Sequence, residues 1–266
     1  MTPGSGAGSN QLPESETNMA TKPLKRSGFN QGIWAQSATP KETVGTLRIC
    51  NNGDGYRYAK NGATALAVGV ALAGQEIAAG ILNQACASAH AIGETIITET
   101  ITAGVAYAEN YFKGGYLSIN DATGEGYQYP IESSTAVGVA GTSITITLDR
   151  PIVTALVATT SEFSLLPSPW MGVVVTTDEE KLFAGVTEMA VAANYYFWAK
   201  TKGLVTCLSE ATSAAAVGAV MTLSATSGAL QAIATPLDVD AAYQVGVAAL
   251  TDGVDSEYKP VFLTWD

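Results

Sequence analysis

The sequence predicts an all-β protein: β-sandwich or β-barrel domains built from short strands and hairpins, preceded by an extended N-terminal arm. Three observations predict it. Many short apolar runs recur along the chain, separated by Gly, Asn, Asp and Pro. Charged residues make up only 14%, against about 25% in ordinary soluble domains, and Ala, Gly, Thr, Ser and Val take their place. Residues 112–131 read as a hairpin near the middle of the chain. There Tyr116, Ser118 and Asn120 alternate with Leu117, Ile119 and Asp121, the period of a strand with two unlike faces. Asn120 to Gly126 is turn chemistry, and Tyr127, Gln128 and Tyr129 resume the alternation. Pro130 cannot donate to a ladder, so it marks an edge or the end of that run.

Taken in order, the chain divides into an arm over residues 1–44, a β domain carrying the hairpin over 45–169, and a barrel-like domain over 170–266. The arm has Phe29, Ile33 and Trp34 as isolated apolar anchors and little else to bury, so it is expected to become ordered only against a partner. Residues 46–50 and Tyr56, Arg57, Tyr58 and Ala59 are strands around the turn Asn51-Asn52-Gly53-Asp54-Gly55. Residues 65–72 have the Gly and Val content of a strand. Residues 75–90 are Ala-rich and fit a short helix or a long loop. Residues 95–101 and 143–148 are strands, the second with Ile144, Ile146 and Leu148 alternating with Thr145 and Thr147. Pro167-Ser168-Pro169 is the strongest boundary signal.

Two echoes follow that boundary. Phe183-Ala184-Gly185-Val186 and the aromatic run Tyr195, Tyr196, Phe197 and Trp198 are matched by Val245-Gly246-Val247 and then Tyr258, Phe262 and Trp265. Ala67-Val68-Gly69-Val70 is matched by Ala216-Val217-Gly218-Ala219-Val220. A duplication explains both, as does chance recurrence in a chain so rich in Gly and Val.

The formal charge of −11 argues against nucleic-acid binding through a broad basic face. Residues 1–28 hold two acids against three bases, so a slightly basic arm precedes an acidic body. Cys50, Cys86 and Cys207 are odd in number and form no CxxC pair, against a disulfide framework and a thiolate zinc site, and free thiols fit folding in a reducing cytosol. No basic-then-apolar leader is visible at the N-terminus, and residues 63–74, the longest apolar stretch, are too short and Gly-interrupted for a membrane span.

Catalytic signatures are scarce. There is no phosphate-binding loop of the G-x-x-x-x-G-K type and no nucleophile elbow, and His90 is the single histidine. Cys86 and His90, four apart, would share a helical face as a nucleophile pair; a buried thiol beside a solvated histidine is the plainer reading. Asp121 with Glu125, and Asn51 and Asn52 with Asp54, have the residue types of an acid pair or a cation loop but sit where turns require Asp, Asn and Gly. Asp178-Glu179-Glu180-Lys181 reads as a solvated loop. No catalytic, cofactor or metal residue is assigned. In the run Tyr195, Tyr196, Phe197 and Trp198, strand alternation predicts two core and two exposed rings. These four, with Trp34 and Trp265, are the candidate interface residues.

One resemblance follows from residues already quoted. Arg57-Tyr58-Ala59-Lys60-Asn61-Gly62, Gly114-Gly115-Tyr116-Leu117 with Asn120-Asp121 and Gly124-Glu125-Gly126-Tyr127, and Asp149-Arg150-Pro151-Ile152 resemble structural proteins of tailed-bacteriophage particles. The C-terminal pattern of a Gly-Val turn, an aromatic strand and Ala-Val-Gly-Ala-Val is similar to small β-barrel head decoration proteins. The resemblance covers most of residues 56–266 and none of the arm. It implies a non-enzymatic cement on the outer surface of the capsid, commonly a homotrimer, with the major capsid protein as partner and neither membrane nor direct nucleic-acid contact. Another virion component and a glycan-binding or glycan-cleaving β module are the competing expectations.

Overall fold

The structure, a computed structural model, describes residues 28–210, 215–233, 244–250 and 256–265. It is all-β. Strands β1 (Leu47–Ile49), β2 (Gly55–Asn61) and β3 (Ala71–Ala73) come first. Then come β4 (Gln84–Ala85), β5 (Ile96–Thr100), β6 (Tyr116–Asp121), β7 (Gln128–Ser134), β8 (Ser143–Leu148) and β9 (Glu162–Leu166). The chain continues with β10 (Met171–Val175), β11 (Phe183–Val186), β12 (Tyr196–Ser209), β13 (Val220–Leu223), β14 (Leu230–Ala232), β15 (Gly246–Ala248) and β16 (Glu257–Thr264). A 3-10 turn at Ala79–Ile81 is the sole helical element among the described residues. Residues 75–90 are therefore mostly loop, and Cys86 and His90 share no helical face.

The middle of the chain forms a six-stranded sheet in the order β4-β9-β6-β7-β8-β5. The expected hairpin is there as β6 and β7, with Leu117 opposite Tyr129. Ile144, Ile146 and Leu148 point inward beside Leu117, Ile119, Tyr129 and Phe163, and the threonines between them face outward, as their alternation requires. Pro130 lies inside β7 rather than at its end. Its carbonyl still accepts the Asp149 N–H, and the register shifts just beyond it, between Ile131 and Ser133.

The remaining strands form a ten-stranded sheet that closes on itself twice. One ring runs β2-β10-β3-β11-β12 and back to β2. The other runs β12-β14-β13-β15-β16 and back to β12. Taken in chain order, the two five-stranded barrels have identical connectivity: β2, β3, β10, β11 and the first half of β12 correspond to the second half of β12, β13, β14, β15 and β16. Orientation matches too, since β2–β10 and β12–β14 are the parallel pairs and every other pair is antiparallel. Both sequence echoes fall on equivalent positions, β11 on β15 and the turn before β3 on the turn before β13. The duplication is real at the level of topology.

β12 belongs to both barrels. Its 14 residues are far beyond the usual 5–6 of a strand. Its first half pairs with β2 and its second with β16, and Lys202 sits opposite both Gly55 and Thr264. The handover is made by a register shift between Lys200 and Lys202 and by Gly203 at φ +99°, a conformation that only glycine adopts freely.

Two sequence expectations need correction. The division at 45 and 169 splits the first barrel, because β1 to β3 join β10 to β12 and the six-stranded unit is an insertion between β3 and β10. The Pro pair marks the exit from that insertion, whereas its entrance after Ala73 has no comparable signal. The described part of the arm also packs on its own chain. Residues 1–27 lie outside the described residues, but 28–44 pack on the first barrel, with Phe29, Ile33 and Val44 against Tyr56, Tyr58, Met171 and Trp198.

Candidate functional site

A recurrent turn positions the residues of greatest chemical interest. Leu66 pairs with Val191, His90 with Leu156, and Tyr107 with Val137, each through a reciprocal backbone hydrogen-bonded bridge. Leu66, His90, Tyr107, Leu156 and Val191 are each followed three residues later by a left-handed residue, respectively Gly69, Gly93, Asn110, Thr159 and Asn194. The wiring repeats as well. Gly69 N–H bonds the Thr187 carbonyl and Asn194 N–H that of Gly62, as Gly93 bonds Ile152 and Thr159 bonds Cys86. Each bridge side chain is buried and acts as the anchor of its turn. Five of these six anchors are aliphatic or aromatic; the sixth is His90.

That substitution creates a buried polar cluster. His90 Nε2 lies 2.6 Å from Glu99 Oε1 and Nδ1 lies 3.0 Å from Glu94 Oε2. Glu99 projects inward from β5 and is itself buried, and its other oxygen accepts the Ala87 N–H at 2.6 Å. With a carboxylate on each ring nitrogen, the imidazolium form is favoured. The Glu99 hydrogen bond raises the His90 pKa above its ordinary value, burial works against it, and Glu94 adds to the rise. Glu94 is held low, first by the Ala91 backbone N–H and then by His90. Cys86 faces the same cluster. Burial and the Glu99 carboxylate push its thiol up to about 12, so it stays protonated at neutral pH and is a poor nucleophile. Cys86 and His90 do come together, through Glu99, as a structural clasp rather than a reactive pair.

The aromatic run resolves differently from its expected two-and-two division. Phe197 is buried in the interior of the first barrel, and Trp198, on the outer wall, is buried too. The segment 28–44 covers it: Trp198 Nε1 donates to the Gln31 carbonyl, Phe29 packs edge-on to its ring at 5.2 Å, and Tyr58 donates its hydroxyl to Gln31 Oε1 at 2.7 Å. Phe197 and Trp198 are therefore core, not free interface. Tyr195 and Tyr196 are half-buried, Tyr196 stacked on Tyr58. Trp265 is half-buried against Phe183. Of the six candidate interface residues Trp34 alone is well exposed, at 67%, on a turn tip.

The acidic turns have local roles. Asp121 accepts the Ala122 N–H within its hairpin turn, and Glu125 is exposed. Asp54 accepts from Asn52 and also holds the buried Lys200 at 3.0 Å, an ion pair completed by Glu188 at 3.3 Å. Among the described residues no cluster of His, Cys, Asp and Glu has an arrangement fit for a metal ion. A cleft of about 540 Å³ lies between residues 40–44, Tyr196 and the loop 108–113, and Lys41, Lys60 and Lys113 share its lining with Glu42 and Glu109.

Sequence reasoning missed the turn tips. Val68, Ile92, Val139 and Val217 occupy the second position after an anchor or its equivalent, and each is more than half exposed. Their signal was present as an aliphatic residue directly before a turn glycine in Val68-Gly69, Ile92-Gly93 and Val217-Gly218. No protein-family model matches the chain, and no curated protein or solved structure matches it either.

Proposed function

We propose that this chain is a non-enzymatic structural protein of a phage particle that decorates and cements the outer surface of the capsid as a homo-oligomer. The observation that carries the reading is the set of turn tips. Turns at a protein surface normally present Asn, Asp, Ser or Gly to water, yet here Val68, Ile92, Val139 and Val217 stand outward on repeated, rigidly wired turns. Such positions fit contacts with neighbouring subunits, whose buried centres are depleted of charge and rich in apolar side chains. Three side chains weighed for catalysis or reactivity, by contrast, face inward: His90 is clasped by Glu99 and Glu94, and the Cys86 and Cys207 thiols are buried. The acidic body suits the outside of a shell, away from packaged nucleic acid, which would repel it.

The test is co-sedimentation of purified protein with emptied capsids from a phage that carries this sequence. Saturable binding in the shell fraction is expected, together with weaker binding when Val68, Ile92 and Val217 are changed to Ser. A protein that stays wholly in the supernatant, or one that cleaves a soluble glycan with measurable turnover, overturns the reading.

A further inference from the structure

The two barrels are built alike but covered unlike. Across the first, one row of cross-strand partners reads Ala71 on β3, Val186 on β11, Lys200 on β12 and Tyr56 on β2. The equivalent row of the second reads Val220 on β13, Val247 on β15, Phe262 on β16 and Leu204 on β12. Both rows point out of their barrels, because neighbouring residues fill the interiors: Leu72 and Ala199 in the first, with Ala184 across the irregularity at Gly185, and Met221, Val205 and Leu263 in the second.

The first row is buried throughout. Ala71 and Val186 join the apolar cluster that fills the second barrel, so the wall of one barrel stoppers the end of the other. Lys200 is neutralised by Asp54 and Glu188. The second row has no such cover among the described residues. Leu204 is 53% exposed and Phe262 47%, and Val220 and Val247 are half-buried. Where the first row has its one charge, the second has phenylalanine. The outward residues on either side along β12 and β16 are Thr206 and Pro260, then Lys202 and Thr264. No carboxylate stands among them, although the chain carries 24 acids against 13 bases.

We propose that this face of the second barrel packs against a second copy of the same chain. Two arguments select that occupant. Half of the equivalent row, Ala71 and Val186, is already a barrel-to-barrel contact within the chain, so this part of the wall has a partner in the chain's own repeat. And two copies of an acidic protein approach most readily through a face whose described residues carry no carboxylate, where like charge does not oppose contact. The proposal rests on the oligomer in the reading above and not on the capsid.

The experiment therefore uses the full chain alone, by light scattering coupled to size exclusion over a range of concentrations. The wild type is expected at an integer multiple of the chain mass, and Leu204→Glu/Phe262→Glu at the mass of one chain. Thr206→Arg, a gentler change on the same face, is expected to raise the dissociation constant at least tenfold. Far-ultraviolet circular dichroism checks that each variant keeps its strands. A wild type that is monomeric at its highest soluble concentration overturns the proposal, as does a folded double variant that stays oligomeric. If the wild type alone is monomeric while the double variant loses binding to emptied capsids, the face belongs to a shell protein, and a second copy is refuted as its occupant. A double variant that is monomeric yet still binds capsids leaves the face assigned and corrects only the route by which the protein reaches the shell.

Discussion

Replacing His90 by Leu tests the clasp directly, because Leu is what the same turn carries at Leu66 and Leu156. The apolar anchor would be kept and the charge partner of Glu99 lost. Glu99 would then sit buried with the Ala87 N–H as its remaining backbone donor. Removing one partner of a buried ion pair costs about 3–5 kcal/mol, because the other charge is left uncompensated. At about 2–4 °C per kcal/mol for a chain of this size, the melting temperature should fall by roughly 10 °C. His90→Leu/Glu99→Leu removes both charges and leaves the Ala87 N–H and the weakly donating Cys86 thiol without their acceptor, a loss of about 1–3 kcal/mol. The double variant should therefore be more stable than the single His90→Leu, although it departs further from the native sequence. Urea unfolding of the wild type, both single variants and the double variant gives the coupling energy. The pH dependence has a definite sign. The folded pKa of His90 is raised, so its contribution is fully present below the unfolded value of about 6.5 and is lost as pH rises through the folded one. The stability gap between wild type and double variant should narrow over that rise. A double variant no more stable than His90→Leu, or a gap that widens with rising pH, would refute the argument.

Native thiol titration with an aromatic disulfide should find Cys50 reactive and Cys86 and Cys207 silent until urea is added, because burial holds both thiols near 12; fast modification of Cys86 in the folded protein would contradict the inert-clasp assignment. Trp198→Ala should lose about 3–5 kcal/mol, the range for emptying a large aromatic site, read by differential scanning calorimetry. Gly69→Ala puts a methyl group 2.8 Å from the Tyr258 ring at a φ of +72°, so a loss above about 1 kcal/mol is expected; unchanged stability would show that the turn relaxes. A deletion of residues 1–44 should melt lower than a deletion of 1–27, because residues 28–44 cover Trp198 and Tyr58; equal melting curves would mean that this cover contributes nothing.

What the sequence disclosed depended on distance along the chain. The β6–β7 hairpin, the β1–β2 pair and the strands β5 and β8 could be read from alternation and turn residues, because those signals lie within a dozen positions. Residues 65–72 misled: their Val and Gly spell an anchor and a left-handed turn, and the strand proper begins only at Ala71. Barrel closure was hidden because it depends on β2 meeting β12 across more than a hundred residues, which no local pattern encodes. The same distance hid the cover on Trp198, whose partners Phe29 and Gln31 lie at the other end of the chain. Cys86 and His90 stand at a helical spacing in a segment that is not helical, and Glu99, the residue that joins them, is reached only when β5 lies beside their loop.

The shared strand β12 makes the two barrels cooperative. Each would lose a wall if the other opened, since the backbone that closes one ring at Tyr196 to Lys202 continues without a break to close the next at Lys202 to Ser209. Two domains joined by a linker can unfold one at a time under load, whereas a pair with a common stave must give way together. A force applied across such a tandem is carried along a single continuous strand, with its hydrogen-bonded neighbours loaded in shear along its length rather than peeled off one bond at a time.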